Sequence, residues 1–332
     1  MTSTGARAAV GSDGAHAASL GAVLAFDIGG TKLAAGVVDT GGVVHAFEAA
    51  PTEAKRGPAA AVARLFDLGR RVVDASGVPW EEIRAVGVCC GGPLDRERGV
   101  LLAPLHLPGW EGLELTALAE EEFERPATLE NDATAAALGE QRYGAGAGAR
   151  DVVYLTLSTG VGGGVVLGGR LFRGSTGNGG ELGHVTVDWR GRHCRGCGRH
   201  GCLEAYVSGT SIAERARETG LDAATAADVA AAARDGDPTA VRVWDETIEA
   251  LACGIVSLVN VFEPELVVLG GGVMRSGELL LAPLRERVRR DAVGPAATAR
   301  VVEAALGDQV GVVGAAATAF EAIETGAVVP HG

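Results

Sequence analysis

One pattern occurs twice in this chain and restricts its fold more than anything else: apolar run, glycine turn, apolar run, glycine turn, apolar run. The first copy is Ala22–Ile28, Gly29-Gly30-Thr31, residues 33–38, Gly41-Gly42 and residues 43–49. The second is Val152–Leu157, Ser158-Thr159-Gly160-Val161-Gly162-Gly163-Gly164, residues 165–167, Gly168-Gly169 and residues 170–172. Apolar runs this short, joined through glycines, predict antiparallel meanders. Helical material follows each copy, so the duplication predicts two related α/β domains facing one another across a cleft, with ligands between the turns.

The remaining segments fill in that plan. Pro58–Ser76 reads as a helix, and residues 83–89 as a strand entering the loop Cys90-Gly91-Gly92-Pro93-Leu94-Asp95. A helix is expected around 115–124, and a short strand at 127–129 that ends in Glu130-Asn131-Asp132. An alanine-rich helix starts there and stops at Gly144. In the second copy, helices are expected at 211–218, 226–234 and 244–261, then a strand at 266–269, Gly270-Gly271-Gly272 and further helix. The expected domains are 22–131 and 132–310, with a closing helix over 311–324 packing back on the first. Residues 1–21, rich in Gly, Ala, Ser and Thr, lack the apolar core of a secretory signal and are expected to form a disordered tail.

The chain's 332 residues suffice for two domains. A net charge of −13 without a Lys/Arg cluster argues against holding nucleic acid or an anionic membrane by bulk electrostatics, so a phosphate ligand would need local amides and a metal. No apolar run reaches the length of a transmembrane helix. Cys89, Cys90 and Cys253 read as packing residues suited to a reducing cytosol, hence a cytoplasmic location.

The other three cysteines, Cys194, Cys197 and Cys202, lie within nine residues of one another, and His184 stands ten residues upstream. Three thiols and an imidazole supply the ligands of a tetrahedral structural zinc. His193 and His200 share the loop and could replace His184. Two carboxylates, Glu181 and Glu204, bracket the cluster, free to accept hydrogen bonds from a polyhydroxylated ligand.

Asp27-Ile28-Gly29-Gly30-Thr31-Lys32 is too short for a Walker A loop and leads into a strand, so it is neither a P-loop nor a Rossmann fingerprint. It reads as a hairpin phosphate loop: amides freed at the glycines, the Thr31 hydroxyl and the Lys32 ammonium for phosphate oxygens, and Asp27 for Mg²⁺. A lone Gly-Gly hairpin is usually only a hairpin, but the repeat adds a second turn with Thr159, Gly160, Gly162 and Gly163, and a third loop carries Gly271 and Gly272. Three such loops suit a nucleotide. Asn131-Asp132 stands at a strand-to-helix junction between the two copies, where one residue can cap the helix and the other can take the proton of a hydroxyl attacking a γ-phosphate.

Together these residues resemble the ROK sugar kinases, of the actin-like (ribonuclease H-like) ATPase fold, and among them the bacterial glucokinases. The match spans residues 22–324. It rests on Asp27 to Lys32, Glu130-Asn131-Asp132-Ala133, Ser158 to Gly164, Glu181-Leu182-Gly183-His184 and Gly198-Arg199-His200-Gly201-Cys202-Leu203-Glu204. The resemblance implies that Asp132 is the catalytic base, that Asn131, Glu181, His184 and Glu204 touch the sugar, with Gly92 near it, and that His184 ligates zinc. It implies ATP with Mg²⁺, a structural Zn²⁺, and a homodimer or homotetramer. Departures from the family pattern are the spacing Cys194-Arg195-Gly196-Cys197, one residue longer than Cys-x-Cys, Gly91-Gly92-Pro93 in place of Pro-Gly-Pro, and His106 in place of an asparagine. The expected reaction is ATP-dependent phosphorylation of a hexose 6-hydroxyl, glucose first. N-acetylmannosamine or N-acetylglucosamine is the alternative, followed by a fructokinase or a non-catalytic sugar sensor. The Gly/Ala-rich residues before the first strand are too few for the helix-turn-helix of the family's repressors.

Overall fold

The computed structural model describes residues 21–104 and 106–329; the tail expected over 1–21 lies, but for Gly21, outside the described residues. The chain runs β1 (Ala22–Ile28), β2 (Lys32–Asp39), β3 (Val44–Pro51), α1 (Pro58–Ser76), β4 (Ile83–Cys90), β5 (Leu94–Asp95), β6 (Val100–Leu101), α2 (Leu115–Phe123), β7 (Ala127–Asn131) and α3 (Asp132–Tyr143). It continues with β8 (Val152–Leu157), β9 (Val161–Leu167), β10 (Arg170–Leu171), α4 (Glu204–Val207), α5 (Gly209–Glu218), α6 (Ala226–Arg234), α7 (Pro238–Phe262), β11 (Leu266–Gly270), α8 (Glu278–Asp291), β12 (Arg300–Glu303) and α9 (Val310–Glu324).

The duplication is explicit in the sheets. One has the order β3-β2-β1-β4-β7 and the other β10-β9-β8-β11-β12. In each, the first strand pairs antiparallel with the second and parallel with the strand that follows the helical excursion. β1 is apolar on both faces because helices cover both. Leu24, Phe26 and Ile28 pack with Leu65, Phe66 and Phe123 of α1 and α2, while Val23 and Ala25 pack with Val312, Ala315 and Ala316 of α9. In the second sheet Val153, Leu155 and Leu157 face the layer of α5 to α8, and Val152 and Tyr154 face Ala136, Ala137 and Leu138 of α3.

Helices α3 and α9 therefore lie between the two sheets. They cross where both carry glycine: a Cβ on Gly139 would stand 3.0 Å from Gly314 Cα. Among the described residues no helix is long and apolar enough to cross a membrane.

The structure corrects the second glycine turn. Read from sequence it spans Ser158 to Gly164, but β9 begins at Val161, and Gly162, Gly163 and Gly164 pair with Thr156, Leu155 and Tyr154 of β8. These glycines are small because neighbours leave no room for a side chain: a Cβ would stand 2.7 Å from Ala133 at Gly162, 2.7 Å from Leu182 at Gly163 and 2.6 Å from Ala137 at Gly164. The turn proper is Ser158–Gly160, and α3 packs directly on the strand beyond it. Two further elements exceed expectation: α7 starts at Pro238, capped by the Asp237 carboxylate, and β12 completes the second sheet.

Candidate active site

Both glycine turns lie at the ends of the central strands, on the side where β1 and β8 finish. In the first, the Gly29 N–H donates to Lys32 O at 2.9 Å and closes a two-residue turn over Gly30 and Thr31. Thr52, buried at the end of β3, clamps it: its hydroxyl donates to Gly29 O at 2.6 Å and its N–H to Thr31 O at 3.0 Å. Gly30 has no room for a side chain, since a Cβ would stand 2.9 Å from His106 O. Among the described residues the N–H groups of Gly30, Thr31, Thr159 and Gly160 have no internal acceptor, which leaves a pair of donors at each turn for an anion. The Lys32 ammonium lies over the Phe47 ring, 5.8 Å from its centroid.

The third loop docks on the second. β11 runs parallel to β8 with Gly270 beside Thr156, and Gly271, at φ 89°, is pressed against the Leu157 backbone. Only glycine fits there on both counts. The loop after β4 is its counterpart in the first sheet: Cys90 pairs with Ile28, and Gly91-Gly92 follow. A Cβ on Gly92 would lie 3.5 Å from Asn131 Nδ2 and 3.7 Å from Asn178 Oδ1. Asn178 fixes this loop by accepting the Leu94 N–H at 3.0 Å and donating to Leu94 O at 2.9 Å.

At the start of α3 the Asn131 side chain caps the helix, accepting the N–H groups of Ala133 at 3.0 Å and Thr134 at 3.1 Å. Capping thus falls to Asn131, and the Asp132 carboxylate, which accepts backbone N–H groups of its own helix start, that of Ala133 at 2.8 Å, has no side-chain hydrogen-bond partner among the described residues and keeps lone pairs for other work. Burial raises the Asp132 carboxyl above its ordinary range, against the Ala133 N–H and the charge of His106, which favour ionisation. Asp27 is pushed up to about 6, first by burial and then by the Asp132 charge, while the Cys89 thiol and Lys32 oppose the shift. Asp27, at the end of β1, thus feels the negative charge of Asp132, an arrangement a divalent cation would relieve.

Several contributors carried no sequence signal. Cys89, read as a packing residue, places its single S–H between two acceptors, Asp27 Oδ1 at 3.5 Å and Gly311 O at 3.4 Å from the sulfur. Gly311, at the start of α9, is glycine because a side chain would collide with the Asp27 carboxylate. Thr52 and Asn178 act through backbone groups distant in sequence, which no local pattern reveals.

The cysteine loop folds beside the second turn. His184, Cys194, Cys197 and Cys202 place their donor atoms within 4.8 Å of one another. The Cys197 and Cys202 sulfurs are 3.5 Å apart and Cys194 Sγ is 3.7 Å from His184 Nδ1, close to the ~3.5–3.8 Å edges of a tetrahedron built on zinc bond lengths. The other ring nitrogen of His184 lies 4.0 Å from Glu181 Oε2. His193 and His200 pack on each other, ring centroids 5.4 Å apart, and belong to no such cluster. Glu204 ties the loop to the turn: Oε2 accepts the Val161 N–H at 2.9 Å, and Oε1 lies 3.4 Å from Cys194 Sγ.

The model of the ROK family matches residues 23–322. This chain belongs to the ROK family. Among ROK relatives, a glucokinase of Thermotoga maritima is 36% identical over 317 residues, which cover 91% of this chain and 98% of the relative. The structure superposes on a ROK hexokinase from Thermus thermophilus with TM-score 0.80 and 38% identity, covering 92% of this chain and 99% of that one. A ROK family glucokinase from Streptomyces griseus, in complex with glucose and AMPPNP, gives TM-score 0.74 and 35% identity over 91% of this chain and 100% of that one. The paired sheets are thus those of the actin-like ATPase fold expected from the sequence.

Proposed function

We propose that this ROK protein is an ATP-dependent hexose kinase that transfers the γ-phosphoryl group to the 6-hydroxyl of glucose. The observation that carries this reading is Asp132, a half-buried carboxylate left free by the Asn131 cap, whose charge reaches Asp27 at the end of β1. A glucokinase relative aligned over nearly its whole length and a related glucokinase that holds glucose and AMPPNP support it.

In this reading the N–H groups of Gly30, Thr31, Thr159 and Gly160, with Gly271 and Gly272 beyond them, receive the triphosphate. Asp27 would hold Mg²⁺, whose charge would offset that developing on the transferred group. Asp132 accepts the proton of the attacking hydroxyl. Asn131, Glu181, His184 and Glu204 orient the sugar, with Gly92 leaving room for it. The two sheets with their helices act as domains whose approach excludes water.

His184, Cys194, Cys197 and Cys202 would bind a structural Zn²⁺, a fit supported by their spacing. The metal would fix the His184 ring so that its second nitrogen faces Glu181 and the sugar. A cytoplasmic homodimer or homotetramer completes the reading, with sedimentation velocity its check.

His106, standing against Gly30 where the family carries asparagine, favours testing an acylated hexosamine as the second substrate. A coupled assay of ATP with glucose, mannose, fructose, N-acetylmannosamine and N-acetylglucosamine decides. Glucose should give the highest kcat/KM; no turnover of any sugar would leave a binding protein.

A further inference from the structure

Away from the turns that follow β1 and β8, an open cavity of about 490 Å³ lies between β10, the β5–β6 turn and the far end of α9. Its volume is within the ~300–1,000 Å³ of small-molecule sites. Arg96, Arg170 and Arg173 line it, together with Phe172, Glu321 and Thr325. On a chain of net charge −13, three guanidinium groups on one cavity are an exception to the average surface.

Their partners are unequal. Arg173 donates to the buried Glu130 at 2.7 Å and to Glu321, and Arg96 reaches Glu130 at 3.3 Å. Arg170 has no ion pair among the described residues. Three cations thus face two carboxylates, and one positive charge stands in excess at the mouth. Guanidinium groups bind phosphate through paired N–H donors. Glu321 and Thr325 offer an acceptor and a hydroxyl for sugar hydroxyls, and the Phe172 ring, 43% exposed, offers a flat apolar wall for the C–H face of a sugar ring.

The cavity also connects with the reacting end of the molecule. Glu130 Oε1 accepts the Asn131 N–H at 3.1 Å, one residue before Asp132. A ligand that draws Arg173 and Arg96 outward leaves Glu130 a buried carboxylate with weakened pairing, and the backbone beneath Asp132 must respond.

We propose that this arginine-lined cavity is an inhibitory site for a phosphorylated sugar, distinct from the cleft between the glycine turns. Its regulatory meaning rests on the kinase reading, since the enzyme's own product belongs to that class. The binding itself does not.

The test is calorimetric titration of glucose 6-phosphate into protein saturated with glucose and AMPPNP, with inorganic phosphate and tripolyphosphate as parallel arms. Binding of about one glucose 6-phosphate per chain is expected, tighter than either inorganic ion. Arg170→Glu should weaken it roughly tenfold or more, the worth of one charge-assisted contact, without changing kcat in the absence of product. At saturating glucose, added glucose 6-phosphate should lower kcat of the wild type and not of Arg170→Glu. Four results would overturn the proposal: no binding to the saturated protein, binding unchanged in both Arg170→Glu and Arg96→Ala, inorganic phosphate or tripolyphosphate binding as tightly as the sugar phosphate, or an unaltered kcat. If no hexose is phosphorylated the kinase reading fails by itself, while the comparison of wild type with Arg170→Glu still reports on the cavity.

Discussion

Asp27→Asn should make the protein more stable while nearly abolishing its turnover. Raising the carboxyl from its ordinary 3.8 to about 6 disfavours the ionised folded state by ~3 kcal/mol once the pH exceeds both values. The sign follows from proton binding. Between pH 3.8 and 6 the folded state holds the proton that the unfolded chain has released, so Asp27's contribution is present at low pH and lost as pH rises through 6. Asparagine has no such proton. Relative to wild type, the variant should therefore gain ~3 kcal/mol at pH 8 and about half of that at pH 5. Paired urea titrations of the metal-free and nucleotide-free protein at the two pH values measure this. An equal gain at both pH values would trace the effect to packing, and no gain at pH 8 would mean that Asp27 carries no buried charge to relieve. Adding Mg²⁺ with AMPPNP should stabilise wild type and leave the variant nearly unmoved.

Asp132→Asn keeps the size of the side chain and the Asn131 cap but removes the proton acceptor, so kcat should fall by roughly 10²–10⁴ with nucleotide affinity unchanged; more than a tenth of wild-type kcat would exclude it as the base. Because burial raises both Asp132 and Asp27, kcat/KM should decline as pH falls through about 6, and a profile flat to pH 5 would contradict that electrostatic picture. Protein purified without chelators should carry about one zinc per chain, measured by elemental analysis, and Cys202→Ser should lower both melting temperature and glucose affinity. Glu140, buried in α3, accepts the N–H groups of Ala145, Ala305 and Leu306, so Glu140→Ala should cost on the order of 3 kcal/mol or more in urea titrations, since it orphans all three donors.

Where neighbours in sequence are neighbours in space, the chain announced its structure. The strand of residues 22–28, the helix of 58–76 and the repeat could all be read because apolar period and glycine punctuation are local signals. The repeat even indicated that the turns after β1 and β8 are equivalent. Glycine itself was ambiguous. Gly162, Gly163 and Gly164 resemble a phosphate loop, yet their side chains are excluded by Ala133, Leu182 and Ala137. Sequence does not distinguish a glycine kept small for a ligand from one kept small for a helix. Thr52, Cys89, Asn178 and Gly311 were silent for a related reason: each acts on a group that only tertiary folding brings close.

The seating of α9 bears on how the molecule is made. Val23, Ala25, Ala85 and Cys89 of the first sheet are sealed by Val312, Ala315, Ala316 and Ala319, and the Ala315 backbone lies so close to Gly87 that no side chain would fit between. On a ribosome those strands emerge long before that helix does. At about 5–20 residues per second the intervening chain takes on the order of ten to forty seconds to synthesise. Throughout that interval one face of the earliest sheet has no lid, so the nascent chain carries an adhesive apolar surface, and every strand of the second sheet is made before that lid is. A chaperone that binds early and leaves late would match this schedule, and a release that cuts synthesis short ahead of α9 would yield a polypeptide whose oldest strands have nothing to rest on.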